Sequence, residues 1–255
     1  MPLLQIKSLT HWFGGLRAVH DFHENLEGGE VVGLIGPNGA GKTTIFNLIC
    51  GIYRPTEGEI LFNGESLVGR SPHEITSKGI GRTFQKLRLW RHLSVLDTVK
   101  LAFSSGLNYS LVDALLWTRR CREREEEIEE RTYELLETFG LTKYANARAW
   151  DIPYGLQRRV EMARAMALEP KLLLLDEPTV GMSLREMYET MDLIRRIKEE
   201  FDLTIIVIEH RMKVIMDLCE RIKAIDFGEI IADGTPDEIR ENPRVIEAYL
   251  GKEEF

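Results

Sequence analysis

The chain has 255 residues, 44% hydrophobic and 29% charged, with a formal net charge of −8. That is the profile of a folded domain with a sizeable core, and its acidic balance argues against a dedicated nucleic-acid binder, which would present a basic face. No run approaches the ~18 apolar residues of a membrane span, and no apolar leader core opens the chain, so if the protein serves a membrane, other chains must cross it.

Residues 1–35 read as strand-rich, with apolar residues at 3–9 and 18–26 separated by turns at Gly14-Gly15 and Gly28-Gly29. Residues 30–35, Glu-Val-Val-Gly-Leu-Ile, form a short buried strand. Directly after it comes Gly36-Pro37-Asn38-Gly39-Ala40-Gly41-Lys42-Thr43-Thr44, which fits the phosphate-binding loop G-x-x-x-x-G-K-[ST]. Its glycines let the backbone curl until N–H groups point inward at phosphate oxygens. Lys42 brings a positive charge to the β/γ-phosphates, and the Thr43 hydroxyl is placed for Mg²⁺. A helix runs from Thr44 to about Ile52, and its start favours anions. Residues 53–68 read as turn, short strand and turn.

Residues 92–147 are predicted mainly helical. Within 119–140, Ile128, Leu135, Leu136 and Phe139 have helical spacing, and Glu and Arg alternate as on a solvated face laced with ion pairs. From residue 155, helix and strand alternate: helix 155–167, strand 171–175, helix 185–201, strand 203–208. This order implies parallel strands with helices packed over them, and ligands bind at the carboxyl ends of such strands. Three reactive groups fall there: the phosphate loop, Asp176-Glu177, and His210.

Leu172-Leu173-Leu174-Leu175 is apolar enough to be buried on both faces, so the carboxylates that follow emerge at its end. Asp176 is the candidate Mg²⁺ ligand, directly or through water, alongside Thr43. Glu177 is the candidate to orient or deprotonate an attacking water. His210 caps the strand expected beside this one and is placed to reach a terminal phosphate. His20 and His23 lack a third ligand and read as surface or core residues. Cys50, Cys121 and Cys219 form no C-x-x-C pair and read as reduced thiols.

With these residues in order, the chain resembles the ATPase subunits of ABC transporters over nearly its whole length. The resemblance implies one α/β P-loop ATPase domain over residues 1–255. Residues 1–91 and 160–255 would form the ATP-binding core with an antiparallel β subdomain, and 92–159 a helical subdomain carrying the family signature. Phe13 looks like the aromatic that stacks on adenine, with Trp12 second. Gly36 to Thr44 (including Pro37, Asn38, Gly39, Ala40 and Gly41) is Walker A, and Asp176-Glu177 closes Walker B. Gln85 is similar to the Q-loop glutamine, a Mg²⁺ and water contact linked to the membrane partner. Ile152-Pro153-Tyr154-Gly155-Leu156-Gln157 falls at the signature that faces the ATP of the opposite subunit. Ser183 lies in the D-loop, and His210 is the switch histidine. ATP and Mg²⁺ are the implied cofactors. Membrane-spanning permease subunits and a second ATPase, identical or homologous, are the implied partners, and the inner face of the cell membrane is the implied location.

Within the family the stretches 79–85, 88–90, 93–95, 208–210 and 242–251, with Tyr154 in the signature, are most similar to importers of branched-chain amino acids. Urea and amide importers share much of this and lipid exporters less. Soluble ABC proteins acting on DNA or ribosomes usually carry two cassettes or a long coiled coil, and this chain has neither. The departures are as specific as the matches. The signature serine is Pro153, its glutamine is Leu156, the D-loop acid or amide is Ser183, and the residue after the switch histidine is Arg211. Proline offers neither hydroxyl nor N–H. The resemblance therefore supports ATP binding more firmly than fast hydrolysis, and a catalytically weak nucleotide-binding subunit is the alternative. Leu87, Leu89 and Trp90, beside Gln85, read either as core or as a groove for a helix of the membrane subunit.

Overall fold

The computed structural model describes residues 2–103 and 118–250. Two sheets organise it. The smaller is antiparallel and contains β1 (Leu4–Phe13), β2 (Leu16–Leu26), β4 (Glu57–Phe62) and β5 (Glu65–Ser66), in the order β2-β1-β4-β5. The larger has the order β10 (Glu229–Gly234), β9 (Arg221–Asp226), β3 (Val31–Ile35), β8 (Thr204–Ile208), β7 (Leu172–Asp176), β6 (Ile80–Arg82). All its pairings are parallel except the β9–β10 hairpin at one edge.

Every residue of β3, β7 and β8 is buried, as central parallel strands require. Their alternating side chains feed two separate cores. Val32, Leu34, Leu172, Leu174, Ile206 and Ile208 pack toward the small sheet and α1 (Lys42–Ile49). Val31, Ile35, Leu173, Leu175, Ile205 and Val207 pack toward the other helices. Among these are α3 (Val95–Phe103), α4 (Arg119–Thr138), α5 (Tyr154–Met166), α6 (Leu184–Glu200) and α7 (Met212–Leu218). Short helices α2 (Pro72–Ser77), α8 (Pro236–Glu241) and α9 (Pro243–Leu250) and a 3-10 turn at Thr142–Tyr144 complete the described elements.

Helix ends follow local chemistry. Capping boxes Ser71–Glu74, Ser183–Glu186 and Thr235–Glu238 start α2, α6 and α8. α1 stops at Ile49, short of the expected Ile52, because Gly51 turns left-handed at φ +69°. α4 buries Cys121, Ile128, Thr132, Leu135 and Leu136 and pairs Arg119–Glu123 at 2.7 Å and Arg124–Glu127 at 2.6 Å, the ion-laced helix the sequence predicts. α5 packs against α3, α4 and β6. Strand β6 and the β9–β10 hairpin are additions to the sequence reading.

Candidate active site

The phosphate loop joins β3 to α1. Gly36 sits at φ +152° where a Cβ would lie 2.1 Å from the Ile225 carbonyl, and Gly41 sits at φ +104° where one would lie 2.5 Å from the Ala18 carbonyl. Only glycine fits either place. Gly39, by contrast, faces open space. α1 has no side-chain cap at its start, so its first N–H groups are available to an anion. The buried Lys42 ammonium donates to the Gly36 and Pro37 carbonyls at 2.6 and 2.8 Å. Burial pulls its pKa below the usual lysine value, and the charges of Glu177 and Asp176 partly restore it.

At the end of β7 the chain turns sharply. Glu177 adopts φ +51°, a left-handed conformation that costs a non-glycine residue about 1–3 kcal/mol and clusters at functional sites. The surroundings hold it there. Glu177 N–H donates to the Ile208 carbonyl at 2.8 Å. Two residues on, Thr179 donates through N–H and hydroxyl to the buried Glu209 carboxylate at 2.7 and 2.6 Å. Glu177 Oε1 then receives two donors, Gln85 Nε2 at 2.9 Å and His210 Nε2 at 3.0 Å in its Nε2–H tautomer. No described residue bonds Oε2, which is left to accept a proton.

Asp176 lies behind, 2% exposed. Its N–H donates to Thr83 Oγ1 at 3.1 Å, and its Oδ2 accepts from Arg82 Nη2 at 3.0 Å. Oδ1 is buried without a hydrogen-bond partner. Burial raises the Asp176 pKa, and Arg82 opposes the rise. Arg82 is a site residue that sequence reasoning missed. Its guanidinium also donates to Asn47 Oδ1 at 2.7 Å and lies over the rings of Phe46 and Phe84. The only sequence-level hint was an arginine within the Gln85 stretch.

A cavity of about 340 Å³ is lined by Phe13, Asn38 to Thr44, Gln85, Glu177 and His210. The structure thus brings together residues far apart in the chain. Phe13 is half-exposed at the cavity edge and backed by His11 and Tyr53 at ring distances of 4.6 and 5.2 Å. Trp12 instead faces Arg17. Gly36, Pro37 and Asp176 do not line the cavity, and neither do Pro153, Tyr154, Gly155 and Leu156.

The signature positions start α5. Pro153 is its N-cap residue and provides no side-chain cap. Gln157 Nε2 ties the segment down instead, donating to the Trp150 and Ile152 carbonyls at 2.9 and 2.8 Å. Leu156 is half-buried and leans on the helical core. Two other departures have local work: Ser183 caps α6, and Arg211 donates to the Met182 carbonyl at 2.9 Å, linking the residue after His210 to the loop after Glu177. Tyr249 of α9 accepts the Gly36 N–H at 2.9 Å, another contact with no sequence hint. Beside Gln85 the apolar residues divide: Leu89 is buried, Leu87 partly so, and Trp90 is 52% exposed under Arg164.

Among the described residues no group of three or more His, Cys, Asp or Glu side chains is arranged to hold a metal. His23 pairs with Asp21 at 2.9 Å on the surface. The cysteines are unpaired, and burial pushes the Cys219 thiol up to about 12. No described helix is long and apolar enough to cross a membrane.

A glycine-rich loop between a buried strand and a helix, with acids and a histidine at the neighbouring strand ends, defines a P-loop nucleoside-triphosphatase. Comparison with known proteins narrows the class. A family model described as ABC transporter matches residues 19–180, and one described as branched-chain amino acid ATP-binding cassette transporter matches residues 229–254. The chain is 42% identical over 251 residues, 98% of each chain, to the high-affinity branched-chain amino acid transport ATP-binding protein BraF of Pseudomonas aeruginosa. It superposes on the ADP conformation of an ATP-binding cassette of an ABC transporter with a TM-score of 0.85 and 26% identity, covering 99% of this chain and 100% of that one. A dimeric cassette in a post-hydrolysis state bound to ADP and Pi matches with a TM-score of 0.77 and 27% identity, covering 91% and 98%. The chain belongs to the ABC transporter family, as one of its ATP-binding cassettes, a transport-coupled ATPase.

Proposed function

We propose that the chain is the ATP-hydrolysing subunit of an importer for branched-chain amino acids, lying against the inner face of the cell membrane on its permease subunits. The observation that carries the catalytic reading is the convergence of Gln85 and His210 on one oxygen of Glu177, in the cavity that also exposes the phosphate loop. The solute is carried over from the similarity to BraF and from the family model at the C-terminus. Residues 1–91 and 160–255 serve as core and 92–159 as helical subdomain, with α5 as the joint between them.

In this reading Phe13 stacks on the base, the N–H groups from Asn38 to Thr44 cradle the phosphates, and Lys42 leaves its two carbonyls for phosphate oxygens. Glu177 Oε2 accepts the proton of the attacking water, while Gln85 and His210 keep the carboxylate turned toward it. The residues present suit a magnesium ion. Asp176 Oδ1 is a buried carboxylate oxygen with no other partner, while Thr43 is exposed at the start of α1 and Gln85 lines the same cavity. When bound, the ion neutralises charge on the β/γ-phosphates. The test is Glu177→Gln in the assembled transporter: ATP binding persists while turnover and amino-acid uptake fall together. Uptake of urea or another amide in place of branched-chain amino acids would reassign the solute.

A second reading rests on Pro153. In a dimer of cassettes the start of α5 would face the partner's nucleotide, and Pro153 there offers no hydroxyl donor. The chain then binds ATP at its own site but completes the partner's site poorly.

A further inference from the structure

α5 presents Arg158, Glu161 and Arg164 at three-residue spacing on one face. That face grips the backbone of residues 84–88, which form neither helix nor strand. Arg158 Nη1 donates to the Phe84 carbonyl at 2.8 Å, and Nη2 donates to the Gln85 carbonyl at 2.5 Å. Arg164 Nη1 donates to the Arg88 carbonyl at 2.6 Å. Glu161 Oε2 accepts from Arg158 Nη1 at 3.1 Å. Arg158 is 3% exposed and Glu161 1%.

Burying an ion pair costs several kcal/mol per ion unless its geometry is good, and apolar residues of similar size often serve stability as well or better. Stability alone therefore gives little reason for this pair. What the pair does is fix the main chain at Gln85, whose side-chain amide donates to Glu177 Oε1 at 2.9 Å. The other end of the guanidinium reaches the start of α5: Arg158 Nε donates to the Tyr154 hydroxyl at 3.0 Å. Tyr154 in turn packs against Gly181 in the loop after Glu177, where an added Cβ would lie 3.1 Å from the ring.

We propose that Arg158, braced by Glu161, is a positioning residue for hydrolysis. It locks the Phe84–Gln85 backbone to α5 so that the Gln85 amide stays on the Glu177 carboxylate. Movement of α5 is thereby transmitted to the proton-accepting group. The proposal rests on the assignment of Glu177 and Gln85 given above.

The test compares the full chain with Gln85→Ala, Arg158→Met/Glu161→Leu, and the triple variant, measuring Mg·ATP turnover and ATP affinity. Replacing both ions removes the buried pair together, and Arg164, 3.9 Å from Glu161, keeps its hydrogen bond to the Arg88 carbonyl. The double variant is expected to lose about tenfold or more in kcat, the scale on which small misplacements of catalytic groups act, with ATP affinity within about twofold. The triple variant is expected to turn over no more slowly than Gln85→Ala, because Arg158 acts through Gln85. Parental kcat in the double variant, or losses that multiply in the triple, would show Arg158 to be a structural fastener and overturn the proposal. Parental kcat in Gln85→Ala alone would remove the group through which Arg158 acts and overturn the underlying assignment as well. Should the double variant fail to fold, Arg158→Lys keeps the charge but not the fork that spans two carbonyls. It is expected to lower kcat several-fold at unchanged melting temperature and ATP affinity, and parental kcat there would equally overturn the proposal.

Discussion

In the function proposed above, the ends of β3, β7 and β8 and the start of α5 are both places that meet a phosphate, and they are built differently. The strand ends are held by the core. Lys42, Asp176 and Glu177 are each under 10% exposed, and each has at least one fixed partner. The start of α5 is open, capped by a proline with no donor, and followed by Leu156 turned partly inward. Binding residues held at the ends of buried strands are positioned whether or not a partner is present, whereas those at an outward helix start would complete their task only across an interface. This chain keeps the first region intact and departs from the family pattern in the second.

The largest effect comes from breaking the first region. Lys42→Ala removes the one ammonium within the loop and is expected to weaken Mg·ATP binding at least about 100-fold. Calorimetry checks it, and unchanged affinity would mean that the loop is not the phosphate site. Glu177→Gln removes the proton acceptor while keeping its shape. Binding is expected to stay within a few-fold as turnover drops about 10² to 10⁴-fold. Turnover at the parental rate would remove Glu177 from the chemistry.

The outward surface sharpens the comparison. Leu89 and Trp90 are neighbours with opposite environments, 8% and 52% exposed. Trp90→Ser is expected to weaken the complex with the permease about 30-fold, as loss of a central aromatic does, at unchanged melting temperature. Leu89→Ser should instead lower stability by about 2–4 kcal/mol. Equal loss of stability in both variants would place Trp90 in the core and leave the groove without its anchor.

The sequence made the first region legible because its residue types sit at fixed spacing next to strongly apolar strands. The phosphate loop, the four leucines before Asp176 and the strand before His210 needed no tertiary information. The remainder depended on long-range contacts. β6 has Ile80, Gly81 and Arg82 and becomes a strand only by pairing with β7. The β9–β10 hairpin is short and only partly buried on its outer strand. Arg82, Arg158 and Tyr249 act on groups 94, 73 and 213 positions away, and no spacing rule reaches so far. Leu156 was expected at an interface, whereas its packing against the helical core gives an apolar side chain a second reason to be there.

The central claim is that the first region is complete and the second limits turnover. It is tested by measuring ATP affinity, ATP-dependent dimerisation and turnover for the parent, Pro153→Ser, and Pro153→Ser with Leu156→Gln. The serine restores one hydroxyl donor to a charged oxygen, worth about 1.5–3 kcal/mol, so turnover and dimerisation are expected to rise about tenfold or more at unchanged affinity for the first ATP. A parent that already turns over rapidly, with no gain in either variant, would contradict it.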